Sequence, residues 1–135
     1  MQTELSPVIA VVDDDPDFQA LLVEVLDDEG YAVALHDGAD TGLLALRRAA
    51  PDAIVLDIRV ERPTSGWELL RRLRAEPDFR TTPIIVCSAD QRFLAQHLHE
   101  LHDQGCAVLP KPFDLDQFLR LISAALVSHG ARLNW

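Results

Sequence analysis

The sequence predicts an α/β fold in which helices cover both faces of a parallel β-sheet. Two observations lead to this fold class. Strand-like and helix-like segments alternate five times within 135 residues, which is the pattern of a parallel sheet with right-handed crossovers. The strand-like segments are also short and apolar along their whole length, and such runs are typical of strands buried on both faces.

The first half of the chain contains three predicted strands and two predicted helices. The first helix begins at Asp15 and Pro16, because aspartate is a favoured N-cap and proline fits the first helical position. Gly30 provides a natural end for this helix. Its apolar residues recur at helical spacing: Phe18, Leu21, Leu22, Val25 and Leu26. The strands are predicted over Val8–Val12, Tyr31–Leu35 and Ala53–Leu56, and the second helix over Thr41–Ala50.

The second half continues the same alternation. The segment Asp57–Ser65 is predicted to be a loop, because it is rich in charge and contains Pro63. Helices are predicted over Gly66–Glu76, over Gln91–Gln104 and from Asp114 onward, and strands over Pro83–Cys87 and Cys106–Leu109. No internal linker is found, so residues 1–135 are expected to form one domain, with its core over about residues 7–128 and a fraying tail.

The composition argues against several classes of function. The net charge is −10 at pH 7, which disfavours direct binding to DNA or to an anionic membrane surface. No apolar run approaches the roughly 18 residues of a membrane span, and the N-terminus does not resemble a signal peptide. A cytoplasmic protein without membrane insertion is therefore expected. Cys87 and Cys106 lie in apolar strand-like runs and are expected to be reduced core residues.

Several predicted strands end in chemically useful residues. Asp13 and Asp14 follow the first strand, Asp57 follows the third, and Lys111 follows the fifth. Ligands bind at the carboxyl ends of strands in open α/β sheets, so these side chains are expected to converge. Mg²⁺ prefers carboxylate and phosphate oxygens, a carboxylate can attack phosphorus, and an ammonium group offsets phosphoryl charge. Ser88, at the end of the fourth strand, can donate a hydrogen bond to the same phosphoryl group.

Four segments carry a family resemblance: VVDDDPDF, IVLDI, IIVCSA and VLPKPF. With them the chain resembles a response-regulator receiver domain of two-component signalling, similar to a stand-alone chemotaxis receiver, from about Pro7 to Ser128. The resemblance implies a doubly wound, flavodoxin-like sheet of five parallel strands in the order 2-1-3-4-5, with five helices. It also implies a signalling protein rather than an enzyme.

The resemblance implies how the aspartates act. Asp57 is the expected phospho-acceptor, which takes its phosphoryl group from a sensor histidine kinase. Asp13 and Asp14 are expected to bind Mg²⁺ together with Asp57 and the backbone carbonyl of Arg59. Mn²⁺ or Ca²⁺ is expected to substitute for Mg²⁺.

The resemblance also implies the roles of the other strand ends and the partners. Ser88 matches the switch hydroxyl, and Lys111, in a typically cis peptide bond with Pro112, matches the lysine that contacts the phosphoryl group. The expected partners are a cognate sensor histidine kinase or a histidine phosphotransferase, and a downstream protein target. No attached output domain is expected, so the receiver itself would signal by binding, including as a phosphorylation-dependent homodimer.

The chain departs from the family pattern after Asp57 and in the fifth strand. The loop before Gly66 is one residue longer than usual, and its proline, Pro63, is displaced. Val108 stands where receivers commonly carry Tyr or Phe. The ring movement that accompanies phosphorylation in receivers is therefore expected to be absent. The output signal is then expected to leave by a face other than the one on which that ring moves. Arg59 and Asp90 are predicted to pair across the mouth of the site and to restrict attacking water.

Three other interpretations compete with a phosphorylatable receiver. A pseudo-receiver would bind partners without phosphorylation, but every residue that the receiver chemistry needs is present. A phosphohydrolase of the haloacid dehalogenase type would carry a second aspartate two residues after its nucleophile, where this chain has Arg59. A metal site built from His97, His99 and His102 is disfavoured, because His97 and His99 point apart on a helix.

Overall fold

The computed structural model describes residues 6–38, 42–59 and 65–129. Within them, five parallel strands form one sheet in the order β2-β1-β3-β4-β5, as the resemblance implied. The strands are β1 (Val8–Val12), β2 (Ala32–His36), β3 (Ala53–Asp57), β4 (Ile84–Ser88) and β5 (Cys106–Pro110). The displaced Pro63 and the predicted fraying tail beyond residue 129 lie outside the described residues.

Six α-helices and one 3-10 helix accompany the strands in the described part of the chain. The α-helices are α1 (Pro16–Asp28), α2 (Gly42–Ala49), α3 (Ser65–Ala75), α4 (Gln91–Gln96), α5 (Leu98–Asp103) and α6 (Leu115–His129). The 3-10 helix is Pro77–Phe79, which sequence analysis missed. Among these described helices, none has the length and apolar character needed to cross a membrane.

Two apolar layers form on the two faces of the sheet, because successive side chains of a strand point to opposite faces. In β1, Ile9 and Val11 join the layer that contains Phe118 of α6. Ala10 and Val12 join the layer that contains Trp67 of α3. Since the central strands are packed on both faces, the positions of the residues at their carboxyl ends are fixed as well.

Local signals determine where α1 begins and ends. Asp15 is its N-cap and accepts a hydrogen bond from the backbone N–H of Asp17 at 3.0 Å, and Pro16 occupies the first turn. Gly30 follows the helix with a φ of +86°, a left-handed conformation that favours glycine. The predicted start and end of this helix are confirmed.

The prediction of five helices, with one continuous helix over Gln91–Gln104, was wrong. α4 and α5 are separate helices, with His97 between them at φ −113° and ψ 12°. The His97 ring stacks on Phe93 with centroids 4.3 Å apart, and its Nδ1 lies 3.0 Å from the Phe93 carbonyl oxygen. The hydrophobic pattern conceals this break, because Leu94 and Leu101 are both buried at helical spacing on either side of it.

Four strands end one residue later than predicted, and this brings backbone pairing up to the residues of chemical interest. Asp57, Ser88 and Pro110 are the last residues of β3, β4 and β5. In the parallel register, Asp57 aligns with Cys87, and Ser88 aligns with Pro110. The sheet therefore holds Asp57 and Ser88 side by side at its carboxyl edge.

Candidate functional site

The carboxyl ends of β1, β3 and β5 bring three of the predicted polar residues together. Asp13 directly follows β1, Asp57 ends β3, and Lys111 directly follows β5. The Lys111 Nζ lies 2.8 Å from Asp13 Oδ2 and 3.3 Å from Asp57 Oδ2. Lys111 is the only lysine in the chain, and its ammonium group bridges the carboxylates of two neighbouring strands.

Backbone groups orient both of these carboxylates. Asp13 Oδ1 accepts a hydrogen bond from the N–H of Asp15 at 2.9 Å, and Asp57 Oδ1 accepts one from the N–H of Arg59 at 3.0 Å. Both bonds reach two residues along the chain, as in Asx turns. One oxygen of each carboxylate is therefore held by the local backbone, while the other contacts Lys111.

Asp14 completes a cluster of three carboxylates. One oxygen from each of Asp13, Asp14 and Asp57 lies within 4.8 Å of the others, and within the described ranges no other such group of ligand side chains is found. Asp13 is buried, Asp57 half-buried and Asp14 exposed, so the cluster is open to solvent. Its donors are all hard oxygens, the type that Mg²⁺, Mn²⁺ and Ca²⁺ prefer. The donor set therefore fits the predicted divalent cation.

The histidines around the α4–α5 break do not form a group of metal ligands with one another. The His97 ring is stacked on Phe93. The fully exposed His99 instead lies with its Nε2 3.6 Å from Asp103 Oδ2. The alternative of a histidine metal site therefore receives no support from the described residues.

Burial and ion pairing together set the charges in the site. Burial raises the pKa of Asp13, against the lowering effect of the hydrogen bonds from Lys111 and from the Asp15 backbone. Burial alone would lower the pKa of Lys111, but its contacts with Asp13 and Asp57 outweigh this effect and raise it. Lys111 is therefore an ammonium at neutral pH. Burial raises the pKa of the neighbouring Cys87 to about 12, so its side chain stays a thiol.

Ser88 lies at the same edge of the sheet, at the end of β4. It is buried, and its Oγ accepts a hydrogen bond from the N–H of Asp90 at 3.0 Å. Its backbone carbonyl accepts a second bond, from the N–H of Lys111 at 2.9 Å. Because the hydroxyl oxygen is the acceptor in the first bond, its own proton remains a donor for a further group.

Arg59 and Asp90 form the ion pair that the sequence predicts. Arg59 Nη1 lies 3.0 Å from Asp90 Oδ2, and both side chains are partly exposed. Asp90 is also the N-cap of α4, since its Oδ1 accepts a hydrogen bond from the N–H of Phe93 at 2.9 Å. The Arg59 guanidinium lies 5.1 Å from the centroid of the Phe93 ring. The pair thus joins the loop after Asp57 to the first turn of α4.

Val108 is half-buried in β5 and packs against the apolar layer on the α3 face. The described rings near this layer come from other elements. The Trp67 ring of α3 lies 6.2 Å from Phe93 and 5.3 Å from His97, between centroids. The predicted effect of Val108 on the route of the output signal stays a prediction.

Sequence reasoning did not identify Phe18 or Gly66 as parts of the site. It assigns Phe18 to the apolar side of α1, yet the Lys111 Nζ lies 4.0 Å from the centroid of its ring. It uses Gly66 only to measure the length of a loop, yet a Cβ there would lie 2.5 Å from the carbonyl oxygen of Asp57. The position of Phe18, in the first turn after the aspartates, is the one sequence signal that points to its contact with Lys111.

A comparison with known families identifies the chain. The family model of the response regulator receiver domain matches residues 9–123. This chain belongs to the receiver domain family. The receiver domain is 35% identical over 122 residues to an uncharacterised 14.6 kDa protein of Leptolyngbya boryana, and the match covers 90% of this chain and 92% of that protein.

The receiver domain is also similar to longer response regulators. It is 35% identical over 118 residues to the response regulator MprA of Mycobacterium leprae, a match that covers 87% of this chain and 50% of MprA. The chain therefore spans about half the length of the MprA proteins that it matches.

A solved receiver domain shares the fold. The receiver domain of the sensor histidine kinase PA1611 from Pseudomonas aeruginosa PAO1 aligns with a TM-score of 0.77 at 26% identity, covering 90% of this chain and 98% of that chain. In that crystal structure a magnesium ion is coordinated in the active site cleft. The family and the fold that the sequence predicts are thus confirmed.

Proposed function

We propose that this receiver domain is a phosphorylatable switch in which Asp57 accepts a phosphoryl group from a sensor histidine kinase or a histidine phosphotransferase. The observation that carries the proposal is the contact of the single lysine, Lys111, with the carboxylates of Asp13 and Asp57. An ammonium group beside a half-buried carboxylate suits the transfer of an anionic group to that carboxylate, because it offsets charge that would otherwise repel the reactants.

The proposed reaction moves a phosphoryl group from nitrogen to oxygen. A carboxylate oxygen of Asp57 attacks the phosphorus of a phosphohistidine, the P–N bond breaks, and the imidazole leaves as the acyl phosphate forms. Lys111 shifts a hydrogen bond from Asp57 to a phosphoryl oxygen and offsets the added charge. Ser88 donates its hydroxyl proton in a hydrogen bond to another phosphoryl oxygen.

The residues proposed to hold a divalent cation are Asp13, Asp14 and Asp57, together with the backbone carbonyl of Arg59. Mg²⁺, or Mn²⁺ or Ca²⁺ in its place, supplies positive charge that reduces repulsion between Asp57 and the phosphoryl group. The close grouping of the three carboxylates supports this assignment. The hydrogen bond from the Arg59 N–H to Asp57 supports it too, because it places the Arg59 backbone beside the cluster.

An apolar cleft beside Lys111 offers the proposed phosphoryl donor a route to the site. The cleft has a volume of about 450 Å³ and is lined by residues of α1 and of the segments after β4 and β5, among them Phe18, Leu21, Ala89, Pro112 and Phe113. Leu21 is 41% exposed, so the cleft offers apolar surface to a partner. Ala89 is next to Ser88 and is small, which leaves space for the imidazole of a donor histidine.

The proposed output is a change in what the receiver binds. Phosphorylation would add about one to two negative charges to a site that already holds three carboxylates. We assign the response to Ser88 and the Arg59–Asp90 pair, which lie next to Asp57 and at the start of α4. Their rearrangement would alter binding of a downstream protein or of a second phosphorylated copy. Apart from its own phosphorylation and dephosphorylation, the domain would catalyse no reaction.

Labelling with a small-molecule donor tests the proposal. The protein is incubated with acetyl phosphate and Mg²⁺, and its intact mass is followed with time. We expect a Mg²⁺-dependent gain of one phosphoryl group that hydroxylamine removes, because an acyl phosphate reacts with this nucleophile. Asp57→Asn should abolish the label. Asp103→Asn, at the end of α5 and remote from the carboxylate cluster, should keep it.

Two other outcomes would contradict the proposal. A protein that binds Mg²⁺ but never gains a phosphoryl group would favour the pseudo-receiver alternative. Sustained release of phosphate from phosphoesters, without a stable label on Asp57, would favour a phosphohydrolase of the haloacid dehalogenase type.

A further inference from the structure

The single lysine of the chain has a third neighbour besides its two carboxylates. The Lys111 Nζ lies 4.0 Å from the centroid of the Phe18 ring, within the range of a cation–π contact. The Lys111 side chain is 16% exposed, so most of its contacts are with protein groups rather than with water. Desolvation strengthens the attraction between an ammonium group and a ring face.

The position of the Phe18 ring is fixed from two directions. The residue lies in the first turn of α1, where the N-cap Asp15 accepts hydrogen bonds from the backbone of that turn. Phe18 packs edge-to-face on Phe113, with the two ring centroids 5.8 Å apart and an angle of 83° between the ring planes. Phe113 in turn stacks on the fully buried Phe118, with the ring centroids 5.4 Å apart. The ring beside Lys111 is therefore anchored in the apolar layer on the α6 face.

We propose that Phe18 is a positioning residue for phosphoryl transfer, which holds the Lys111 ammonium at the carboxylates of Asp13 and Asp57. This inference rests on the proposed function of Asp57. A ring face attracts the ammonium but offers no carboxylate or carbonyl acceptor for its protons. The N–H groups of Lys111 thus remain available to Asp13, to Asp57 and then to the phosphoryl group. Without the ring, the flexible lysine side chain would also occupy the adjoining cleft.

Selective labelling of lysine tests the contact directly, because [¹³C]lysine incorporation yields one lysine side chain in the NMR spectrum. A ring face shifts nearby protons upfield, so the ε-methylene signal of Lys111 should lie upfield of its position in Phe18→Leu. Phe18→Tyr keeps the ring and should keep the shift. Phe79→Leu makes the same chemical change at a buried residue in the apolar layer on the α3 face, across the sheet from Phe18, and should keep the shift.

The rate of labelling by acetyl phosphate and Mg²⁺ tests the role in the reaction. Because Phe18→Leu loses a partly desolvated cation–π contact, its rate of labelling should be about fivefold lower than that of the wild-type protein. The labelling rates of Phe18→Tyr and Phe79→Leu should stay within about twofold of the wild-type rate. In a Lys111→Met background, Phe18→Leu should have no further effect, because the group that it positions is gone.

The inference fails if Phe18→Leu leaves the lysine signal in place, or if it slows labelling no more than Phe79→Leu does. It also fails if the effect of Phe18→Leu persists in Lys111→Met. A wild-type protein that takes no label overturns the proposed function and, with it, the role in transfer. The lysine signal still decides in that case whether the ring holds the ammonium, so the two failures are distinguishable.

Discussion

Gly66 packs directly against the backbone that carries the proposed phospho-acceptor. A Cβ at this position would lie 2.5 Å from the carbonyl oxygen of Asp57 and 2.3 Å from that of Ile58. These distances are shorter than side-chain carbons tolerate, so only glycine lets the start of α3 approach the end of β3 this closely. The requirement is for space rather than for an unusual backbone conformation.

We expect Gly66→Ala to lower the free energy of unfolding by about 1–3 kcal/mol and to slow labelling of Asp57, because the backbone there must shift. Urea denaturation and acetyl phosphate labelling measure the two effects. Gly30→Ala is the control. Its Cβ would meet nothing within 4 Å, but alanine is strained at the φ of +86° that Gly30 adopts. Gly30→Ala should therefore lower the free energy of unfolding by about 1 kcal/mol and leave labelling unchanged. If Gly66→Ala had the stability and the labelling rate of the wild-type protein, the close packing beside Asp57 would not require glycine.

The Arg59–Asp90 pair is predicted to slow the loss of the phosphoryl group by restricting water at the site. An exposed pair of this kind is worth about 0–1 kcal/mol, so Arg59→Ala should shorten the lifetime of phosphorylated Asp57 by up to about fivefold. Asp90→Asn should act alike, because asparagine can still cap α4 but cannot pair with Arg59. The decay of the labelled mass after removal of acetyl phosphate measures the lifetime. Equal lifetimes in all three proteins would rule out the gate.

At the scale of elements, Arg74 joins α3 to the segments that enter β4 and β5. Its guanidinium donates to the carbonyl oxygens of Thr82 at 2.8 Å, of Phe79 at 2.9 Å, of Arg80 at 3.3 Å and of Gln104 at 2.8 Å. All four carbonyls precede the strands, so this network lies at the amino edge of the sheet, opposite the carboxylates. One side chain thereby satisfies backbone groups that helices and strands leave unpaired.

We expect Arg74→Met to lower the free energy of unfolding by about 2–4 kcal/mol, because four carbonyls lose a charged donor. Arg72→Met, an exposed change on the same helix, should alter it by no more than about 0.5 kcal/mol. Urea denaturation measures both. Labelling of Asp57 should stay normal in both variants, because the network is remote from the site. Equal stability of the two variants would show that the network contributes little.

Elements whose ends carry local signals could be predicted from the sequence, and those shaped by side-chain contacts could not. α1 begins at Asp15 and ends before Gly30 because capping and glycine conformation act within a few residues. The break at His97 depends on stacking with Phe93, which helical spacing does not encode. The 3-10 helix Pro77–Phe79 was missed for a similar reason, since it has no side-chain cap and its Phe79 carbonyl is bound by Arg74.

At the scale of the whole molecule, the candidate site follows from topology. Parallel strands place all of their carboxyl ends at one edge, so Asp57, Ser88 and Lys111 could be grouped from the ends of apolar runs alone. The contact of Phe18 with Lys111 could not be predicted, because it joins α1 to the segment after β5 through the detailed direction of two side chains. Sequence pattern thus locates the polar residues of the candidate site, while packing determines which apolar residues contact them.

Because the net charge is −10, Mg²⁺ could stabilise the protein in two ways: by binding to the carboxylate cluster or by screening the overall negative charge. These two effects must be distinguished. A cation that binds the folded cluster raises the free energy of unfolding by about 2.7 kcal/mol at 100 times its dissociation constant. We therefore expect Mg²⁺ to raise the midpoint of thermal unfolding, measured by circular dichroism at constant ionic strength. Asp14→Asn should remove most of this shift, because it takes one carboxylate from the cluster.

Asp17→Asn is the matched control for that experiment, since it removes the same charge from an exposed position in the first turn of α1. It should keep the full Mg²⁺ shift if the cation binds the cluster of Asp13, Asp14 and Asp57. General screening depends only on the number of charges, so it would reduce the shift equally in Asp14→Asn and Asp17→Asn. Equal reduction in both variants would therefore show that Mg²⁺ acts on the charge of the whole molecule and not at this site.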